Sequence, residues 1–306
     1  MSLTRLSNTT SNPHFGTGVI LALVGAIAFS GKAIIVKLGY RYGVDAVMLL
    51  MFRMLFALPM FLAMAWWSGR GKAPLTRADW LGVAGLGFSG YYLSSFLDFA
   101  GLQYITASLE RLILYLNPTL VLLLAWVLYR KPVRLAHVLG MALSYSGCVL
   151  VFSHEISIAG SHVALGAALV FASAMTYAVY LVYSGQLVKR LGSLRLVGLA
   201  TTVACICCIA QFVLLRPIAS AFVVAPEVIW LSVFNAVFCT AVPVLMVMMA
   251  IERIGPALSA QIGMVGPLST ILMGVVLLGE PFTAWIAAGT VLVVAGIYVV
   301  SRAAAR

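Results

Sequence analysis

The chain has 306 residues, of which 63% are hydrophobic and only 9% charged, with a mean hydropathy of +1.10. A soluble domain carries roughly a quarter charged residues, so this composition excludes that class and describes an all-α polytopic membrane protein. The net charge of +11 does not require nucleic acid as a partner, because basic loops kept on one side of a bilayer give the same total.

A polar stretch up to Phe15 leads into an apolar run too long for a signal-peptide core and without a small-residue cleavage site after it, so the first span is expected to be retained. Windows of about 20 apolar residues place ten spans, at 17–37, 45–67, 79–101, 105–129, 133–153, 161–184, 194–216, 227–250, 256–278 and 282–301. The five cysteines all fall in apolar runs, which suits buried thiols and neither a disulfide framework nor a zinc site. No cofactor is expected.

With both termini placed in the cytoplasm, the cytoplasmic segments hold thirteen basic residues, among them Arg70, Lys72, Arg130, Lys131, Lys189 and Arg190. The opposite side holds only Lys37, Arg41 and Arg216. Positive loops stay cytoplasmic, and a bacterial inner membrane is the expected location.

The remaining basic residues, Lys32, Arg53 and Arg111, lie within spans, as do the acids Asp98 and Glu110. A charge at the bilayer centre costs several kcal/mol, so each must snorkel, pair or face a wet cavity. Lys32 shares its helical stripe with Gly25, Ala28 and Phe29, and Asp98 shares one with Gly87, Tyr91 and Ser94 or Ser95. Arg111 and Tyr115 lie on one stripe of the fourth span, with Glu110 and Asn117 on the next. Adjacent side chains diverge by about 100° on a helix, so Glu110 and Arg111 are not expected to neutralise each other. Arg53, within MLLMFRM, reads as structural. Tyr91, Tyr92, Tyr115, Tyr177 and Tyr180 lie deep in spans, where a phenol needs a partner, and are candidates for a pocket wall. Trp66, Trp67, Trp80, Trp230 and Trp285 sit near span ends as belt residues.

The two halves echo each other at an offset of about 149 residues. WLGVAGLGF at Trp80 matches WLSVFNAVF at Trp230, and NPTLVLLLAWVLYRKPV at Asn117 matches GPLSTILMGVVLLGEPF at Gly266. Residues 1–156 and 157–306 then form two repeats of five helices each. Five is odd, so the second copy is inverted, and an inverted repeat places a binding site at the interface of the halves. Pro118 and Pro267 are equivalent positions and candidate hinges.

The segments beginning GLQYITASLERLILYLNPTL and AIERIGPALSAQIGMVGPLS resemble the two EamA repeats of the drug/metabolite transporter superfamily, with LGEP at Leu278–Pro281 as a further mark. The first half has YRKP at the equivalent of LGEP, so an acidic role there belongs to the second copy alone. The resemblance implies a small-molecule transporter and is strongest to bacterial aromatic amino-acid exporters. Related small multidrug exporters carry a glutamate in their first helix, where this chain has Lys32, which repels a cation and attracts a carboxylate.

The residues and the resemblance together predict export of amino acids, aromatic and other small neutral ones, from the cytoplasm by alternating access, without a cofactor, from a monomer or weak oligomer. Lys32, Tyr91, Ser94, Asp98, Glu110, Arg111, Tyr115, Tyr177 and Tyr180 are the expected substrate site, with Pro118 and Pro267 as hinges. The alternatives are an organic-anion or sugar-phosphate exchanger and a drug or metabolite efflux protein. No GxxxxGK[ST] loop and no nucleophile–base or metal-ligand pattern occurs, which argues against an ATPase or an enzyme.

Overall fold

The computed structural model describes residues 15–130, 135–159, 162–254, 259, 262–263 and 265–304. Arg5, Lys131, Arg134 and Arg306 of the basic count, and most of 255–264 in the expected ninth span, lie outside the described residues.

Among the described residues 89% are helical. In chain order the elements are α1 (Phe15–Tyr40), α2 (Ala46–Gly69), α3 (Arg77–Leu86), α4 (Ser94–Leu102), α5 (Ala107–Leu114), α6 (Asn117–Tyr129) and α7 (Leu135–Ala159). The second part contributes α8 (His162–Leu191), α9 (Ser193–Leu215), α10 (Pro226–Ala236), α11 (Val242–Ile254), α12 (Val265–Met273) and α13 (Ala284–Ala304). These segments are helical because hydrocarbon offers the backbone no water, so each N–H and C=O must be satisfied within its own segment. Where helices begin, side chains take up the orphan amides. Asp45 accepts from Met48 N at 2.9 Å, Thr106 accepts from Leu109 N at 3.0 Å, and Thr76 forms a capping box with Asp79.

Among the described residues seven helices are long and apolar enough to cross a membrane, and two shorter apolar helices cover Val265–Leu278 and Ala284–Val299. The segment expected as a span over 79–101 is a broken helix. Its middle, SGYYLSS from Ser89 to Ser95, is polar and passes through a π-helical turn at Gly87–Leu93. A second π turn occupies Val237–Ala241, between α10 and α11, and a third follows α12 at Gly274–Leu278. Such widened turns re-aim the residues they carry and are frequent at functional sites.

The helices do not pack as two sequence halves. α1 lies against α11 and α12, whereas α8 lies against α4, α5, α6 and the first π turn. Each half has given its first helix to the other. α2 runs along α9, and α7 along α13. The packed groups are therefore α1 with α10–α12 and α8 with α3–α6.

Small residues allow the closest of these approaches, as membrane helices require in the absence of a hydrophobic drive between them. In the α7–α13 seam a Cβ on Gly147 would stand 2.6 Å from the Gly289 carbonyl oxygen, and one on Gly296 2.5 Å from that of Gly140. Gly90 likewise lets the Tyr180 ring lie on the first π turn, where a Cβ would meet the ring carbons at 2.3 Å.

Overpacking costs about 1–3 kcal/mol, so Gly296→Leu is expected to lower the unfolding temperature in detergent. Gly85→Ala, with nothing within 4 Å, is expected to leave it unchanged or slightly higher. Equal behaviour of the two variants would show that the seam does not depend on this contact.

Candidate functional site

A cavity of about 400 Å³ lies between the packed groups, walled by α1, α2, α4–α6, α8, α9, α11, α12 and the two π turns. Of the residues expected at a substrate site, Lys32, Tyr91, Ser94, Asp98, Arg111, Tyr115 and Tyr177 line it. Glu110 and Tyr180 stand behind the wall, the first fully buried and the second hydrogen-bonded to Tyr91 at 3.3 Å between hydroxyls. Pro267 lines the cavity at the start of α12. Pro118 is exposed and opens α6 just after the chain breaks at Tyr115–Leu116.

Lys32 is held by a partner: its Nζ donates to Asp98 Oδ2 at 2.6 Å, joining α1 to α4. The pair is 8% and 1% exposed, so it lies at the cavity edge with little solvent. Ser30, two residues earlier, donates to the Gly266 carbonyl at 2.6 Å and locks α1 onto α12. The ammonium therefore rides with α12, while its counter-ion rides with α8.

Glu110 and Arg111 do meet, contrary to the expectation from their divergence on the helix. Glu110 Oε2 lies 3.3 Å from Arg111 Nε. Long side chains bend back along the short α5, and burial of both leaves each as the other's nearest compensation. Arg111 Nη2 and the nearby Asn117 Oδ1, which also faces the cavity, have no hydrogen-bond partner. A donor and an acceptor are thus left open on one wall.

The aromatic wall is built on contacts between rings. Tyr91 meets Tyr180 edge-on at 5.1 Å, and Tyr180 stacks on Tyr177 at 5.5 Å. Ser94 and Ser173 are 3.0 Å apart between hydroxyls, which fixes α4 against α8 beside them. Sequence reasoning missed Arg53, which lines the cavity rather than serving only the packing, and also Thr201 and Thr240. Arg53 Nη2 donates to Ser95 Oγ at 3.0 Å and its guanidinium lies 4.6 Å from the Phe99 ring centroid. A signal existed, since Arg53 and Phe61 are two turns apart on one face of α2, but the methionine-rich surroundings masked it.

One end of the cavity is closed. Tyr40 donates its hydroxyl to the Phe99 carbonyl. Glu280, from LGEP, accepts from Ala107 N at 2.7 Å and from Ser108 N and Oγ at 3.2 and 2.8 Å. A carboxylate at a helix N-terminus is favoured by the exposed amides and the dipole. Gly274 is needed beneath it, because a Cβ there would come within 2.8 Å of Glu280 Oε2, and Gly279 turns the chain at φ +72. LGEP thus ties the α12 end to α5, across the two packed groups.

A multi-pass helical protein with an internal polar cavity between two packed groups is a membrane transporter in class. The chain belongs to the EamA-like transporter family, whose model matches residues 16–153 and again 164–302. It is 30% identical over 281 residues to the uncharacterized transporter YcbK of Bacillus subtilis (strain 168), covering 86% of each chain. A second relative, an uncharacterized transporter of Archaeoglobus fulgidus, is 25% identical over 283 residues, covering 92% of this chain and 96% of that one. A solved crystal structure superposes with a TM-score of 0.63 at 20% identity, over 92% of this chain and 95% of the other, and supports the fold alone.

Removing one partner of a buried ion pair strands the other charge, at a cost of about 3–5 kcal/mol. Asp98→Asn and Lys32→Met are each expected to destabilise the purified protein strongly, and the double variant Lys32→Met/Asp98→Leu much less than their sum. A double-mutant cycle on thermal unfolding checks this, and simple additivity would contradict the pairing.

Proposed function

We propose that the protein exports amino acids from the cytoplasm by alternating access, with the cavity as the substrate site. The observation that carries this reading is the juxtaposition of open donors and acceptors with an aromatic wall. Arg111 Nη2 is placed for a carboxylate, Asn117 Oδ1 and the Asp98 carboxylate for an ammonium, and Tyr91 and Tyr177 for an apolar or aromatic side chain. This revises the role expected of Lys32: with its Nζ committed to Asp98, it sets the site's field, and Arg111 is the carboxylate anchor.

The ten-span, twice-repeated and inverted arrangement belongs to the same reading. It is supported by the two matches to the family model and by the π turns at Gly87–Leu93 and Val237–Ala241, which fall at equivalent positions of the two copies. Arg130 and Gly279 are also equivalent, and both adopt positive φ, +52 and +72. With the termini cytoplasmic, the end closed by Tyr40, Phe99, Ala107 and Glu280 faces outward. The arrangement then represents a state sealed to the outside, and export requires the Lys32–Asp98 and Glu280–α5 ties to part. Movement down the substrate gradient suffices, since no carboxyl group stands in the cavity apart from basic partners.

In liposomes carrying the purified protein, labelled phenylalanine and threonine are expected to move, and Arg111→Gln to reduce that flux about tenfold or more, in keeping with loss of a charge-assisted contact. Sugar-phosphate flux without amino-acid flux would overturn the assignment. For the outer seal, Glu280→Ala is expected to raise labelling of an introduced Ser95→Cys by an impermeant maleimide added outside. Unchanged labelling would remove Glu280 from the gate.

A further inference from the structure

Around the cavity, Arg53 is the cation that has no carboxylate of its own. It is 3% exposed, seven residues into a helix, Ala46–Gly69, that is long and apolar enough to cross the membrane. Among the described residues no carboxylate oxygen comes within 4.0 Å of its guanidinium. One hydrogen bond to Ser95 and the face of Phe99 are its compensation, and its Nε has no partner. Asp98, which lines the same cavity, is committed to Lys32 at 2.6 Å. Glu110 is committed to Arg111.

Lys32, Arg53 and Arg111 outnumber Asp98 and Glu110 by at least one positive charge, whether or not Glu110 is ionised. Arginine does not shed its proton in proteins, so the excess cannot be relieved at Arg53 itself, and an uncompensated buried cation is costly. A zwitterion brings one charge of each sign and leaves the excess in place. A solute with a further carboxylate cancels it, and a guanidinium fork suits that group. The bland account, a structural arginine wetted by cavity water and stacked on Phe99, gives no dependence on ligand charge.

We propose that Arg53 is an anion subsite that makes the cavity select solutes of net negative charge, in the amino-acid series those with a side-chain carboxylate over their neutral amides. This rests on the reading of the cavity as an amino-acid site and narrows its substrate class. Arg53 on α2 and Arg111 on α5 line different walls of one cavity, so the two carboxylates of one solute need not compete for a single cation.

Glutamate and glutamine differ in this one group. In proteoliposomes and by thermal shift of the purified protein, glutamate is expected to compete at least about tenfold better than glutamine. Arg53→Gln is expected to bring the two within about twofold, and Arg53→Lys to keep part of the difference. Equal competition in the wild-type protein, or the same preference in Arg53→Gln, overturns the proposal. If Arg53→Gln fails to give a single peak on size exclusion, the wild-type comparison and Arg53→Lys decide. If no amino acid binds, 3-phenylpropanoate separates the two readings. Stabilisation of wild type but not of Arg53→Gln would retain the anion subsite and discard amino acids, and no stabilisation by any anion would discard both.

Discussion

A membrane tolerates an ionised side chain in its interior only beside an opposite charge, a hydrogen-bonding surface or water, and five such side chains determine what this bundle is. Lys32, Arg53, Asp98, Glu110 and Arg111 are each no more than 8% exposed. They gather at one cavity because dispersing them among lipid-facing surfaces would strand each one separately. Around them the helices contribute hydroxyls and phenols, as in the Ser94–Ser173 and Tyr91–Tyr180 contacts. Away from the cavity, large apolar side chains and tryptophans such as Trp67 and Trp230 are exposed, as lipid-facing and interfacial surfaces require.

The exchange of first helices follows from how such helices pack. Without a hydrophobic drive between them, association depends on close contact and polar anchoring, and α1 meets α12 through Ser30, Gly266 and Thr270. α8 meets α4 through Ser173 and through Gly101 and Gly166, where a Cβ on either would strike backbone. The small residues that made these helices look like cavity or packing faces in the sequence thus decide which half each belongs to. Consecutive residues do not form consecutive bodies.

Much of this was legible beforehand. Helix positions followed from apolar runs, because hydrocarbon permits little else, and the grouping of Lys32, Asp98, Arg111 and three tyrosines followed from helical stripes. Two things were not legible. Which acid would pair with Lys32 depends on the helix exchange, since Asp98 and Glu110 are equally plausible until α1 is known to pass α4. The Glu110–Arg111 contact depends on side chains bending along a short helix, which a rule about stripe direction does not describe. Arg53 was misjudged for a related reason: a one-sided run of methionines on α2 looks like packing until α9 is seen beside it, with Thr201 facing the same space. The expected ten spans counted 79–101 as an ordinary helix, whereas its polar middle widens into a π turn.

All five charged residues come from the first half of the sequence, yet they do not move together in the proposed cycle. The exchanged α1 carries Lys32 with α11 and α12, while Asp98, Glu110 and Arg111 belong to the group around α8. Opening on the side sealed here therefore pulls the Lys32 ammonium from the Asp98 carboxylate, and the cost of that separation depends on what occupies the cavity. A ligand can shift a conformational equilibrium only by its differential affinity for the two states. A solute that supplies both an anionic and a cationic group compensates the parted charges, and a neutral one does not. The same pair that stabilises the closed form thereby makes the barrier to opening a test of the solute's charge.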